Sequence, residues 1–178
     1  PPPRPPQLEH SWARWAELER APEWMPWVSR VEVEEPAAES TSCAGAAGPP
    51  RPPRRSRWTC ATGGFEVSWV AEISQLEGLE GAAAAAGAPR SMGWATVEGL
   101  PSEGKVTFAA AEGGGGEGGA GGGAGRGGGT TVVELVLEHT LPPPLVDAMG
   151  GEGLEGLVRA TLQHTMETFR DYAERSLP

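Results

Sequence analysis

The chain has 178 residues and a formal net charge of −10, and this length suffices for one domain with a sizeable core. Leu, Ile, Val and Phe make up only about 16% of it, below the roughly 20% under which chains tend to be disordered. So acidic a surface repels nucleic-acid phosphates and anionic lipid headgroups, which excludes nucleic acid as an expected partner. No apolar run approaches the roughly 18 residues of a membrane span, which leaves only transient membrane contact open.

The shortage of large apolar residues is confined to four stretches of low complexity, at 1–6, 36–55, 77–90 and 111–129. We therefore predict a Pro-rich linker over 1–7 and a single domain over 8–176, with expanded loops at 36–55, 77–90 and 111–129. The Gly-rich run at 113–129 satisfies phosphate-loop patterns such as GxGxxG through its composition alone. No strand leads into it and no helix follows it, as a phosphate-binding loop would require. We interpret this run as a flexible loop.

Cysteine usage and the chain start bear on the compartment. Cys43 and Cys60 lie far apart and outside any CxxC motif, so we expect a reduced intracellular compartment rather than a secreted disulfide scaffold. The chain begins with three prolines instead of Met, which indicates a fragment or a processed product. One short stretch of this acidic chain is basic, and it contains Arg51, Arg54, Arg55 and Arg57. We interpret this stretch as a solvated Pro/Arg loop.

Apolar periodicity predicts a helix from Leu8 to Arg20, which Pro22 ends. A Trp-rich corner follows, and alternation of apolar and charged residues then predicts β-strands. The predicted strands are Val28–Glu34, Arg57–Thr62, Phe65–Ser74, Ser91–Glu98, Lys105–Ala109 and Thr130–Thr140. The third has the clearest alternation, with these residues on one face: Phe65, Val67, Trp69, Ala71 and Ile73.

The last predicted element is a long helix from Gly153 to Arg175. An apolar stripe runs along it for about six turns, and the stripe comprises Leu154, Leu157, Val158, Thr161, Leu162, Met166, Phe169 and Tyr172. A helix of this kind after five or six alternating strands should lie across the sheet that they form. The predicted fold class is therefore α+β, with a curved antiparallel sheet of about six strands closed by the C-terminal helix.

Four segments resemble one known family, in the same order along the chain. They are Trp12–Val28 with its ending PEWMPWV, Phe65–Ile73 (FEVSWVAEI), Met92–Phe108 with its WATVEGLP, and Val133–Pro144. These segments are similar to those of the polyketide cyclase/dehydrase and coenzyme-Q-binding proteins of the START-like (SRPBCC, Bet v1-like) superfamily. The expanded loops most resemble those of plastid-type members from algae.

The resemblance implies a helix-grip fold that holds an apolar ligand, such as a lipid, a quinone or an isoprenoid, between the sheet and the C-terminal helix. We expect no cofactor and no metal, and the oligomeric state stays open. The family begins with a strand ahead of the first helix, whereas only Pro1–Pro6 precede it here. Either the fragment starts after that strand or the strand is missing, and its loss would leave one sheet edge unpaired. The expected location is the chloroplast, with the mitochondrion as the alternative.

The side chains expected to line the ligand cavity belong to the inner face of the sheet and to the helix stripe. From the strands they are Trp58, Phe65, Trp69, Trp94, Phe108, Leu135, Leu137 and His139, and from the helix they are Leu162, Met166 and Phe169. The alternative is that the same residues fill a dry core.

Because the family name includes a cyclase, acid–base residues have to be considered. The histidines are His10, His139 and His164; His164 is expected to be solvated, and His139 shares the inward parity of its strand. No aspartate pairs with a histidine at a suggestive spacing, and no HExxH or GxSxG motif occurs. The residues thus favour binding over a cyclase-like enzyme. A protein-interaction module that uses the Pro-rich stretches 1–6 and 49–53 is a third alternative.

Overall fold

The computed structural model describes residues 7–34, 54–62, 65–80, 87–111, 130–140, 147 and 151–176. The helices are α1 (Gln7–Ala16) and α2 (Gly151–Arg175), and a 3-10 helix spans Leu18–Glu23. The strands are β1 (Arg30–Glu34), β2 (Arg55–Thr62), β3 (Phe65–Glu77), β4 (Arg90–Glu98), β5 (Ser102–Ala110) and β6 (Thr131–His139). They form one open sheet in the order β1 to β6, and each neighbouring pair is antiparallel. The predicted α+β helix-grip fold is confirmed.

Several predictions concern residues outside this description. The proposed linker over 1–7 falls on them except for Gln7, and the Gly-rich loop and most of 36–55 fall on them as well. The expected absence of a first strand concerns the same N-terminal residues. The first and last residues of the predicted loop at 77–90 belong to strands, because β3 continues to Glu77 and β4 begins at Arg90.

The prediction of one continuous first helix is wrong at its C-terminal end. The α-helix stops at Ala16, and a 3-10 helix that contains Pro22 follows it. Proline inside an α-helix loses a hydrogen bond and clashes with the carbonyl four residues earlier. The chain therefore tightens to bonds three residues apart, as in the 2.9 Å bond from the Arg20 N–H to the Glu17 carbonyl.

The centre of the interior is an aromatic cluster that joins α1, β5 and α2. Trp12 and Phe108 meet edge to face with ring centroids 5.6 Å apart, and Trp15 meets Phe169 in the same way at 4.9 Å. Trp24 completes the cluster against Phe169 at 4.8 Å. All five rings are buried, and each such pair contributes about 0.5–1.5 kcal/mol beyond the burial of its area. This part of the inner face of the sheet is therefore filled with protein.

The C-terminal helix presents most of its apolar stripe inward and its charged face to solvent, but the prediction is wrong for Leu157, which is 52% exposed. Leu154, Phe169 and Tyr172 are buried, while Arg159 and Glu155 pair on the exposed side at 2.7 Å. The helix is also tied to the Trp-rich corner by a polar side chain, because the Thr168 hydroxyl donates to the Trp24 carbonyl at 2.6 Å. These contacts fix the helix over the inner face of the sheet.

The predicted alternation of β3 holds only in part. Trp69 and Ala71 face inward as expected, but Val67 is exposed, and Val70, on the supposedly wet face, is fully buried. The pairing with β4 shifts register between Val70 and Ala71. Val70 lies between Arg57 on β2 and Glu98 on β4, and we attribute its burial to the aliphatic stems of those charged side chains.

The interpretation of the four arginines as a solvated loop is wrong for two of them. Arg55 and Arg57 lie on β2, and both pair with Glu34 at 2.9 Å. Arg55 also reaches Glu98 at 2.6 Å, whereas Arg54 is exposed and Arg51 lies outside the description. The positive charges are thus compensated by carboxylates on neighbouring strands. The alternation of residues along a single strand could not predict these pairs.

Candidate ligand-binding site

A cavity of about 270 Å³ lies where α1, the start of β6 and the end of α2 come together. Its apolar wall consists of Val133, Met166, Phe169 and Ala173. Its polar edge consists of Gln7, His10, Ser11, Thr130, Thr131, Arg170 and Glu174. The space is concave, mostly apolar and edged by a few polar groups, which is the usual form of a small-molecule site.

The sequence of α1 explains why the cavity has two kinds of wall. Leu8, Trp12 and Trp15 are buried in the core. Gln7, His10 and Ser11 are spaced i, i+3 and i+4, so they share the neighbouring face of the helix. Because α2 contributes the small Ala173 opposite them, the two helices do not close the gap between their side chains.

His10 is the functional candidate that sequence reasoning missed. Its side chain is buried although it is polar, and its Nε2 lies 3.0 Å from the Ala173 carbonyl oxygen and 3.2 Å from Ser176 Oγ. The ring therefore joins the start of α1 to the end of α2 and at the same time forms part of the cavity wall. A single polar residue within an amphipathic helix carries no periodic signal that could have pointed to it.

The contact between His10 and Ser176 resembles a base and its nucleophile in distance only. A carbonyl oxygen can only accept, so the bond to Ala173 requires that Nε2 carries the proton. An Nε2 that donates cannot take a proton from Ser176. The Ser176 hydroxyl itself lies 2.9 Å from the Tyr172 carbonyl, to which it donates. The contact between His10 and Ser176 therefore belongs to the hydrogen bonds at the C-terminal end of α2 and does not form a catalytic dyad.

The predicted lining residues do not all meet at the cavity. Met166 and Phe169 line it. Phe108 is packed within the aromatic cluster, and Trp94 and Leu135 are half-buried against the core. Leu137 and Leu162 are half-buried, whereas His139 is exposed at the end of β6. Phe65 begins β3, and its side chain lies outside the description.

Trp58 and Trp69 belong instead to a row of three indoles on the same side of the sheet. Trp69 stacks on Trp27 at 6.1 Å and on Trp58 at 6.2 Å, with an angle of 13° between planes in both pairs. All three are half-buried, so the row leaves flat apolar surface accessible. Cys60 lies two residues after Trp58, and burial raises the pKa of its thiol, which favours the protonated, less nucleophilic form.

Within the part of the chain that the structure describes, no group of three or more His, Cys, Asp or Glu side chains is arranged to hold a metal ion. None of the helices in that part has the length and apolar character needed to cross a membrane.

An open, curved antiparallel sheet, a long C-terminal helix and an apolar cavity beside that helix define the helix-grip class. The family described as "Polyketide cyclase / dehydrase and lipid transport" matches residues 4–166, and the chain therefore belongs to this family. No curated protein and no solved structure matches the chain. Membership supports a domain that binds a hydrophobic ligand.

Proposed function

We propose that the domain binds and carries a hydrophobic small molecule in the cavity between α1, β6 and α2. The observation that supports this most is the cavity itself, whose wall of Val133, Met166, Phe169 and Ala173 is apolar. An apolar wall contributes affinity in proportion to the area that a guest removes from water, at about 25 cal/mol per Å². The nearby inner face under Phe108 is already filled by side chains, so the guest has to lie beside the aromatic cluster.

The size of the cavity limits what it encloses. At roughly 30 Å³ for each water-sized group, about 270 Å³ holds on the order of nine such groups. A longer chain or ring would therefore have to extend outside the cavity. A lipid, a quinone or an isoprenoid as the ligand, and a chloroplast location, are proposals that rest on the sequence resemblance.

The first test is native mass spectrometry of the purified full chain. We expect an adduct of a hydrophobic small molecule that is lost under denaturing conditions. Ala173→Leu adds three carbon atoms to a side chain that lines the cavity, so the loaded fraction should fall severalfold. Ala160→Leu makes the same change at an exposed position of the same helix and should leave the loaded fraction unchanged.

Two results would contradict the proposal. One is wild-type protein without any adduct. The other is Ala173→Leu protein that is loaded to the same extent as Ala160→Leu protein, because the guest would then lie elsewhere. Circular dichroism of both variants checks that they are folded before the fractions are compared.

A further inference from the structure

We propose that the cavity selects neutral amphiphiles with a hydroxyl group, and that His10 Nδ1 accepts the hydrogen bond that this hydroxyl donates. The inference rests on the proposed function, because it names the ligand class and the polar contact of the same cavity. It is carried by the hydrogen bonds of one buried side chain and by the position of that side chain in the cavity wall.

The first step concerns the proton on the imidazole. The Ala173 carbonyl, 3.0 Å from Nε2, accepts only, so Nε2 is the donor. In a neutral imidazole the other nitrogen is then an acceptor with a free lone pair. The end of α2 thus sets the tautomer of His10 and makes Nδ1 the acceptor.

The second step concerns the partner of that acceptor. Both hydrogen bonds of the His10 side chain involve Nε2, and within the described residues Nδ1 has none. Some polar atoms of the protein are both unpaired and sealed from solvent, but Nδ1 is not one of them. It therefore keeps accessible surface, although the residue as a whole is only 7% exposed, and His10 is one of the residues that line the cavity.

The third step concerns which polar group of a ligand can pair with Nδ1. An ether oxygen or an ionised carboxylate offers no hydrogen to Nδ1, whereas a hydroxyl does. Leaving a buried acceptor unpaired is more costly than the net gain of an average hydrogen bond. The alkyl part of an amphiphile would then lie against Val133, Met166 and Phe169, on the apolar wall.

The probes are 1-octanol and 1-methoxyheptane, which have the same nine heavy atoms and differ in the hydroxyl hydrogen. Isothermal titration calorimetry gives the ratio of the two affinities for wild type and for two variants. His10→Gln keeps an amide N–H near the position of Nε2 and removes the acceptor at Nδ1. His10→Asn keeps a polar atom near Nδ1 and gives up the bond to Ala173.

We expect the preference for octanol over the ether to fall about fivefold in His10→Gln, the size of one net hydrogen bond. In His10→Asn the preference should persist. An unchanged preference in His10→Gln, or equal binding of both probes to wild type, would overturn this inference and leave the proposed function standing. If neither probe binds to folded wild type, the proposed function fails together with it.

Discussion

At the scale of single residues, one hydrogen bond holds the Trp-rich corner against the C-terminal helix. The Trp27 indole N–H donates to Thr165 Oγ1 at 3.0 Å, and the Thr165 hydroxyl donates in turn to the Thr161 carbonyl at 2.8 Å. Thr165 is 1% exposed, so water cannot replace either bond. The orientation of the three stacked indoles thus depends on a hydroxyl of the helix.

We predict that Thr165→Val destabilises the protein by about 1–2 kcal/mol. The side chain keeps nearly the same shape, but the indole N–H of Trp27 loses its acceptor, and an unpaired buried donor costs about 1–3 kcal/mol. Urea denaturation followed by circular dichroism measures the change in the free energy of unfolding.

A double-mutant cycle separates this bond from simple loss of packing. In a Trp27→Phe background the donor is gone, so Thr165→Val should cost much less than in wild type. The same cost in both backgrounds would show that the hydrogen bond contributes nothing and that the prediction is wrong.

The polar residues that matter most could not be predicted from the sequence. His10 and Thr165 interrupt helices whose apolar spacing is otherwise regular, and such interruptions usually lie on the solvent side. Their partners are 163 and 138 positions away in the chain. Only the packing of α1 and the Trp-rich corner on α2 reveals that both are buried.

At the scale of elements, Glu77 connects three strands where β3 ends. Its carboxylate accepts hydrogen bonds from the Ser91 hydroxyl on β4 and from Lys105 on β5, the latter at 3.2 Å. The pKa of Glu77 is lowered, mainly by the bond from Ser91 and next by Lys105. The ionised form is therefore favoured in the folded state.

We predict that Glu77→Gln lowers the melting temperature at pH 7 and that the difference from wild type vanishes in acid. A carboxyl with a lowered folded pKa stabilises the fold above its unfolded value of 4.5, and this contribution is lost as pH falls through the folded value. Thermal melts at pH 7, 4.5 and 3 measure the difference. Glu66→Gln, at an exposed position of the same strand, serves as the control. A difference that grows below pH 4.5 would contradict the prediction.

The elements themselves were largely predictable. All six strands and both helices follow from the period of their apolar residues, because burial of one face imposes that period. The failures have local causes. Pro22 converts the end of the first helix into a 3-10 helix, and the register shift beside Val70 places an apolar residue under charged neighbours.

At the scale of the whole molecule, the inner face of the sheet is divided into a filled part and an open part. The sequence predicts the set of apolar residues on that face, but it does not say which of them pack against each other. Trp12 and Trp15 come from α1 and fill the space over Phe108. The cavity therefore lies to one side, with Met166 and Phe169 in its wall, and most other predicted lining residues lie elsewhere.

The most direct test of a ligand site between α1, β6 and α2 is an NMR titration of protein labelled with ¹³C at the methionine methyl groups, with 1-octanol as the probe. Met166 lines the cavity, whereas Met25 and Met92 are buried in the packed core. We predict that saturation with octanol shifts the Met166 methyl signal and leaves those of Met25 and Met92 in place. An unchanged Met166 signal at saturation, or an equal shift of Met92, would contradict a ligand site between α1, β6 and α2.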